Sequence, residues 1–297
     1  MVEANFMNKD VCAIFVTYNP DLDEFTENLQ SVIHQVGHIC IVDNSTNESL
    51  QQGIINLSKR FNNKAIINGE NIGIASAQNK GFKWAIENGY EAFLLLDQDS
   101  KLKEDTVSGL IQSYHSLIKQ GFKVACVGPL AYNRDKTEED VYHIPTSEEQ
   151  DVIEVQETLS SGSLISKQTL TEVGYMEESL FIDLVDYEWC WRAKLKGYST
   201  YIANKVKVAH RLGDDRHKIL GINIGIPSPM RHYYQFRNTI KMLFRSYVPF
   251  NFKRRYIILL PIKFFFYPIF AGKGLLRLKM IIKGLIHGIK GVDGKGI

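Results

Sequence analysis

Residues 92–96 read Ala-Phe-Leu-Leu-Leu, an unbroken apolar run that stops at Asp97-Gln98-Asp99. A strand with no polar residue on either side has no face to turn to water. It demands a sheet covered on both faces, and such sheets are built from parallel strands joined by crossover helices. Val11–Thr17 (VCAIFVT) and residues 39–42 (ICIV) have the same character, and Lys64–Ile67 and residues 124–127 read as further strands. Between them, apolar residues recur at helical spacing. One stripe is Phe25, Leu29, Val32, Ile33 and Val36; another is Val107, Leu110, Ile111, Tyr114, Leu117 and Ile118. Residues 48–61 and 71–84 carry two more helix patterns, the second opening on small residues. The fold class is therefore α/β, a mostly parallel central sheet flanked by helices.

Such sheets take ligands at the carboxyl ends of their strands. The polar clusters Tyr18-Asn19, Asp43-Asn44 and Asp97/Asp99 all fall at those ends. Two carboxylates two residues apart at a strand exit offer hard oxygen ligands to Mg²⁺ or Mn²⁺; the alternative is a solvated acidic turn. In residues 71–81 (NIGIASAQNKG), Gly73 and the alanines permit close backbone approach to an anionic ligand at a helix N-terminus, or simply tight packing of a helix on the sheet. Further on, residues 133–151 read as a polar surface loop and residues 159–165 as a strand with a glycine. Residues 186–196 read as a helix capped by Gly197.

Composition narrows the class. Apolar residues at 44% and charged residues at 23% describe a globular chain rather than a disordered one. The four cysteines (Cys12, Cys40, Cys126, Cys190) include no CxxC pair, against a disulfide scaffold or zinc ribbon, and read as buried thiols. The first residues carry no apolar signal core, so a cytoplasmic protein is expected. The net charge of +2 is unevenly spread: residues 252–297 carry +9 and the remainder −7. A nucleic-acid binder would spread basic surface over its folded body. A mildly acidic body with a basic, apolar tail suggests instead a membrane-surface handle. Residues 256–270 (YIILLPIKFFFYPIF) are too short to span a bilayer and are interrupted by Lys263, so they read as an interfacial segment, with a core or dimer helix as the alternative.

TYNP at 17–20, VDNS at 42–45, NIGIASAQNKG at 71–81, LDQDS at 96–100, SGSLIS at 161–166 and FIDLVDYEWCWRAKLKGY at 181–198 occur in this order. Together they resemble the family 2 glycosyltransferases of the GT-A (nucleotide-diphospho-sugar transferase) fold, and in wording the bacterial rhamnosyltransferase branch. The likeness covers about residues 11–238. It implies an inverting transferase moving L-rhamnose from dTDP-β-L-rhamnose to a saccharide on a polyprenyl carrier, peripheral on the inner face of the cell membrane. By the same resemblance Thr17, Tyr18, Asn19 and Asp43 hold the nucleotide base, and Asn71, Gly73 and Ala75 line the nucleotide. Asp97 meets the ribose or sugar. Asp99 binds the divalent metal, Mg or Mn, with His210 as an extra ligand.

The family's general base is the Asp of a Glu-Asp pair. Here the pair reads Val185-Asp186, with Glu188 as a following acid and Asp183 as a rival base. Trp189 and Trp191 flank this segment, to stack on acceptor sugar or to pack in the core. Arg237 is expected to meet the diphosphate or to pair with an acid on the body. The expected domains are a catalytic unit over 1–240, with a nucleotide-binding half to about 130 and an acceptor half from about 131 to 240, and a helical, membrane-associating segment over 241–297. A homo-oligomer is left open. Alternatives are the same fold with another donor such as galactofuranose, a sugar nucleotidyltransferase, or a non-catalytic transferase-like subunit. The nucleotidyltransferase would want a Gly-rich, basic loop after the first strand, and TYNP is neither.

Overall fold

The computed structural model describes residues 6–133, 150–210, 216–219 and 222–297. The chain runs β1 (Val11–Thr17), α1 (Leu22–Val32), β2 (His38–Asp43), α2 (Glu48–Arg60), β3 (Lys64–Ile67), α3 (Ile74–Glu87), β4 (Ala92–Asp97), α4 (Thr106–Lys119) and β5 (Val124–Asn133). It continues through β6 (Val152–Val155), β7 (Leu164–Ser166), α5 (Lys167–Val173), α6 (Val185–Leu195), β8 (Ser199–His210) and a hairpin of β9 (Arg216–Ile219) and β10 (Ile222–Gly225). Three helices close it: α7 (Pro229–Phe244), α8 (Phe250–Phe270) and α9 (Gly274–Lys290).

Among the described residues the main sheet has eight strands in the order β3-β2-β1-β4-β7-β5-β8-β6. It is mixed rather than purely parallel, because β7 runs against β4 and β5, and β6 runs against β8. The period-two geometry of strands splits the core into two layers. Cys12 and Ile14 of β1, Cys40 and Val42 of β2, and Phe93 and Leu95 of β4 face α3 and α6. Their neighbours Val11, Ala13, Phe15, Ile39, Ile41, Leu94 and Leu96 face α1 and α4. The continuous apolar runs are thus explained: every position is inside. All four cysteines are buried and free.

The connection into α3 requires a glycine. Gly73 has φ +86°, and a Cβ there would meet the carbonyl oxygen of Phe181 at 2.6 Å. In return the Ile74 N–H donates to that carbonyl at 2.7 Å, tying the start of α3 to the segment that precedes α6.

The expected boundary at residue 240 falls inside α7, and the last helices are bolted to the body. Val248 and Phe252 join the core cluster beneath α3 and α6. Arg277 of α9 donates to the carbonyls of Gly272 and Pro227. Gly284 lets α9 cross α7 closely: a Cβ there would lie 2.5 Å from the carbonyl oxygen of Tyr233. The apolar segment expected over 256–270 is the greater part of α8, a 21-residue helix with Pro261 and Pro268 inside it. Its inner stripe, Phe252, Leu260 and Tyr267, is buried, while Ile257, Ile258, Ile262, Phe265 and Ile269 are exposed. Among the described residues no helix is long and apolar enough to cross a membrane.

Candidate active site

A cavity of about 650 Å³ opens at the carboxyl ends of β1 and β4, roofed by the start of α6 and walled by α7 and α8. Thr17, Tyr18, Asn71, Gly73, Asp97, Asp99, Asp183 and Asp186 all line it. With Asn44, five of the six motif segments contribute lining residues, all but that at 161–166.

The strand ends are organised by short polar bonds. Asp43 is fully buried, and its Oδ1 accepts from Thr17 Oγ1 at 2.6 Å and Ser45 Oγ at 2.7 Å. Its Oδ2 is buried without a hydrogen-bond partner. Asn19 sits at φ +47°, where its N–H donates to Ser45 Oγ. The Tyr18 N–H donates to Gln98 Oε1 at 2.8 Å, and Asn28 Nδ2 donates to the Gln98 carbonyl at 2.8 Å. Gln98 is therefore the fixed point of the Asp97-Gln98-Asp99 turn, and the two flanking carboxylates are presented to the cavity. Asn71 Oδ1 accepts the Gly73 N–H at 3.0 Å, shaping the entry to α3.

Opposite stands Asp186 in the first turn of α6. Its Oδ1 accepts the Tyr187 N–H at 2.9 Å and its Oδ2 the Ser160 N–H at 3.3 Å. Burial raises its carboxyl to about 6; the Tyr187 N–H pulls it back, and the charge of Asp97 pushes it up again. A carboxylate so tuned is a competent base near neutrality. Asp183, the rival, is paired with Arg231, Nε to Oδ1 at 3.0 Å.

The segment leading to α6 is strained. Phe181, Asp183 and Leu184 all have φ near +65°, conformations that cost non-glycine residues about 1–3 kcal/mol each. Asn238 and Arg237 hold it. Asn238 Nδ2 donates to the carbonyls of Leu180, Ile182 and Asp183 at 3.0, 2.7 and 3.0 Å. Arg237 donates to the carbonyls of Ser179, Leu180 and Gly294. This moves the expectation for Arg237: it is fully buried among carbonyl acceptors, does not line the cavity, and among the described residues pairs with no acid.

Other expectations also move. Ala75 faces the core beneath the sheet rather than the cavity. Trp189 and Trp191 are core residues, donating to the Gly174 carbonyl and to Glu157 Oε2. Glu188 is buried and bound by Arg192, Arg245 and Tyr247. The backbone of His210 ends β8 opposite Asn133, one residue beyond Ala209, which bridges Lys101 just past the acidic turn; the side chain of His210 lies outside the described residues. The cavity also contains residues the motifs did not point to: Arg231 and Gln235 of α7, and Tyr256, Leu260 and Lys263 of α8. The one signal for Lys263 was a lysine breaking an apolar run, on the same helical face as Tyr256 and Leu260.

The donor set suits a hard divalent cation whose remaining ligands come from phosphate and water. Asp97 and Asp99 could supply oxygens, and among the described residues no group of three His, Cys, Asp or Glu could hold an ion by itself.

The family model for glycosyl transferase family 2 matches residues 12–171. The dTDP-rhamnosyl transferase RfbF of Shigella flexneri is 32% identical over 300 residues, covering 98% of this chain and 99% of that protein. A structure of GalNAc-T7 with UDP, GalNAc and Mn²⁺ superposes with a TM-score of 0.63 at 14% identity, over 91% of this chain and 54% of that one. Residues 1–349 of S. aureus TarS with UDP-GlcNAc give 0.61 at 17% identity, over 95% and 81%. These two show a shared fold.

Proposed function

The chain belongs to glycosyl transferase family 2, and from that membership we propose that it is an inverting rhamnosyltransferase, moving L-rhamnose from dTDP-β-L-rhamnose to a lipid-linked saccharide. The observation that carries this reading is one cavity with a pair of aspartates, Asp97 and Asp99, on one side and a tuned carboxylate, Asp186, on the other. The likeness to RfbF over nearly its whole length supports the donor.

In this reading Thr17, Tyr18, Asn71 and Gly73 cradle the nucleotide, and the orphaned Oδ2 of Asp43 is the acceptor that a nucleobase N–H would satisfy. Asp97 orients the sugar. Asp99 would hold Mg²⁺ or Mn²⁺, with His210 as a candidate second ligand; the bound ion would neutralise the departing diphosphate. The GalNAc-T7 structure contains Mn²⁺ along with UDP and GalNAc, which supports a divalent ion here. Asp186 takes the proton of the acceptor hydroxyl as that oxygen attacks the anomeric carbon from the face opposite dTDP. One displacement inverts the centre, giving an α-linked rhamnoside.

The catalytic unit would extend beyond residue 240 to include α8, whose Tyr256, Leu260 and Lys263 line the cavity, and the outer faces of α8 and α9 would seat the enzyme on the inner face of the membrane. Support for this comes from the exposed apolar residues of α8 and α9, set among the basic residues of a segment that carries +9. Incubation with dTDP-rhamnose, Mn²⁺ and a lipid-linked saccharide should release dTDP and lengthen the glycolipid. Absence of transfer from dTDP-rhamnose, with transfer from another nucleotide sugar, would replace the donor; absence of transfer from any would overturn the activity.

A further inference from the structure

α8 has two distinct faces. Tyr256, Leu260 and Lys263 point to the catalytic cavity, while Ile258, Ile262 and Phe265 are exposed. Lys263 is half-buried in apolar surroundings, its Nζ 5.4 Å from the centre of the Tyr256 ring. Among the described residues it makes no ion pair. Its ammonium is pulled below the ordinary range by burial and by the charge of Arg255, against the opposing charge of Asp183. A second cation, Arg231 of α7, lines the same cavity and pairs with Asp183. A half-buried ammonium costs free energy unless an anion meets it.

The cavity is lined from different elements: Asp97 and Asp99 enter it from the end of β4, whereas Lys263 enters it from α8 and Arg231 from α7. α8 is also the helix whose far side is exposed and apolar, so an acceptor carried on a lipid would reach the cavity past the helix that holds Lys263.

We propose that Lys263, with Arg231 of the same cavity lining, binds the diphosphate of a prenyl diphosphate-linked acceptor and so holds the first sugars of that acceptor against Asp186. The inference rests on the donor-transfer reading of this cavity and adds the anionic group that its second substrate carries. The chemistry is consistent on three counts. A diphosphate offers several oxygens to two cations, and charge-assisted bonds of this kind are the strong ones. The donor's own diphosphate is accounted for separately, by the ion that Asp99 would hold. The prenyl chain has an apolar route outward, because the helix that carries Lys263 is apolar on its far side.

Farnesyl diphosphate is a sufficient probe, since it has the anion and a short prenyl chain but no sugar. The protein is saturated with dTDP and Mn²⁺, then titrated calorimetrically with farnesyl diphosphate and, separately, with farnesol. Farnesyl diphosphate should bind the dTDP-loaded protein, and farnesol about tenfold more weakly or worse. Lys263→Gln should weaken farnesyl diphosphate by about tenfold while dTDP affinity stays within about twofold, and Lys263→Arg should recover most of the loss. The wild-type contrast between diphosphate and alcohol does not depend on any variant folding. Displacement of farnesyl diphosphate by dTDP, equal binding of the alcohol, or a Lys263→Gln variant that loses dTDP instead would each overturn the proposal. Failure of dTDP itself to bind the wild-type protein would remove the donor reading, and this inference with it.

Discussion

At the scale of single residues, the site separates side chains that meet substrate from those that hold them in place. Asp186→Asn keeps the shape of the carboxylate but removes its basicity. It should lower kcat by about 10²–10⁴-fold, with dTDP affinity within about threefold by calorimetry; a parallel loss of dTDP binding would give Asp186 a different role. The raised carboxyl also sets a pH limit. As the proposed base Asp186 would act when ionised, so activity should be full above about pH 6 and fall as the pH drops through that value. In the free enzyme, log kcat/KM should decline with unit slope below about pH 6. Asp99→Ala should abolish the dependence of donor binding on Mn²⁺, measured by titrating donor with and without the ion.

Much of this set was legible because strand pattern alone says where a strand ends, and Thr17, Asp43, Asp97 and Asp99 sit at ends. Arg237 was not, because spacing on a helix does not say which neighbour it will face. Its place among the carbonyls of residues 179, 180 and 294 exists only after α7 has packed.

Among the elements, the segment before α6 matters most. Three residues with positive φ lead into the helix that carries Asp186, the proposed base, and the spacing of Phe181-Ile182-Asp183-Leu184 does not reveal that path. Asn238 supplies three hydrogen bonds to its carbonyls from another helix. Asn238→Ala should therefore cost about 1–3 kcal/mol of stability by urea unfolding, and kcat should fall further than the lost stability explains as Asp186 shifts. A purely structural role would leave kcat unchanged in the fraction that remains folded. The same logic applies where α9 crosses α7: Gly284→Val places a side chain against the Tyr233 carbonyl and should lower the thermal midpoint measurably by calorimetry. The parallel core strands were readable as continuous apolar runs. β6 and β7 were harder to read in detail, since strands of four and three residues hold too little pattern to reveal direction.

For the molecule as a whole, the uneven charge and the unpartnered apolar residues lie together. Leu275 is 88% exposed and Ile289 72%, and Lys279 and Lys283 share the outer surface of α9 with Ile282 and Ile286. The protein should co-sediment with vesicles containing anionic phosphatidylglycerol, less so as salt rises. Leu275→Glu with Ile282→Glu should abolish that binding while dTDP affinity is unchanged. A monomer-to-dimer change in the double variant, with vesicle binding intact, would assign this surface to a second copy instead. The net charge of +2 gave no hint of such a surface; only its distribution along the chain did.

One consequence follows from α8 having an exposed apolar side and the candidate site's cavity on the other. A helix with its side chains is about 10 Å thick. Were α8 to rest on headgroups, as proposed, that thickness would become a ruler: the hydroxyl to be glycosylated would sit one helix above the bilayer, within reach of only the first few sugars of an upright glycan. Long chains would have to bend back to be served, so the enzyme would work at the root of a growing polymer and leave its tip to others.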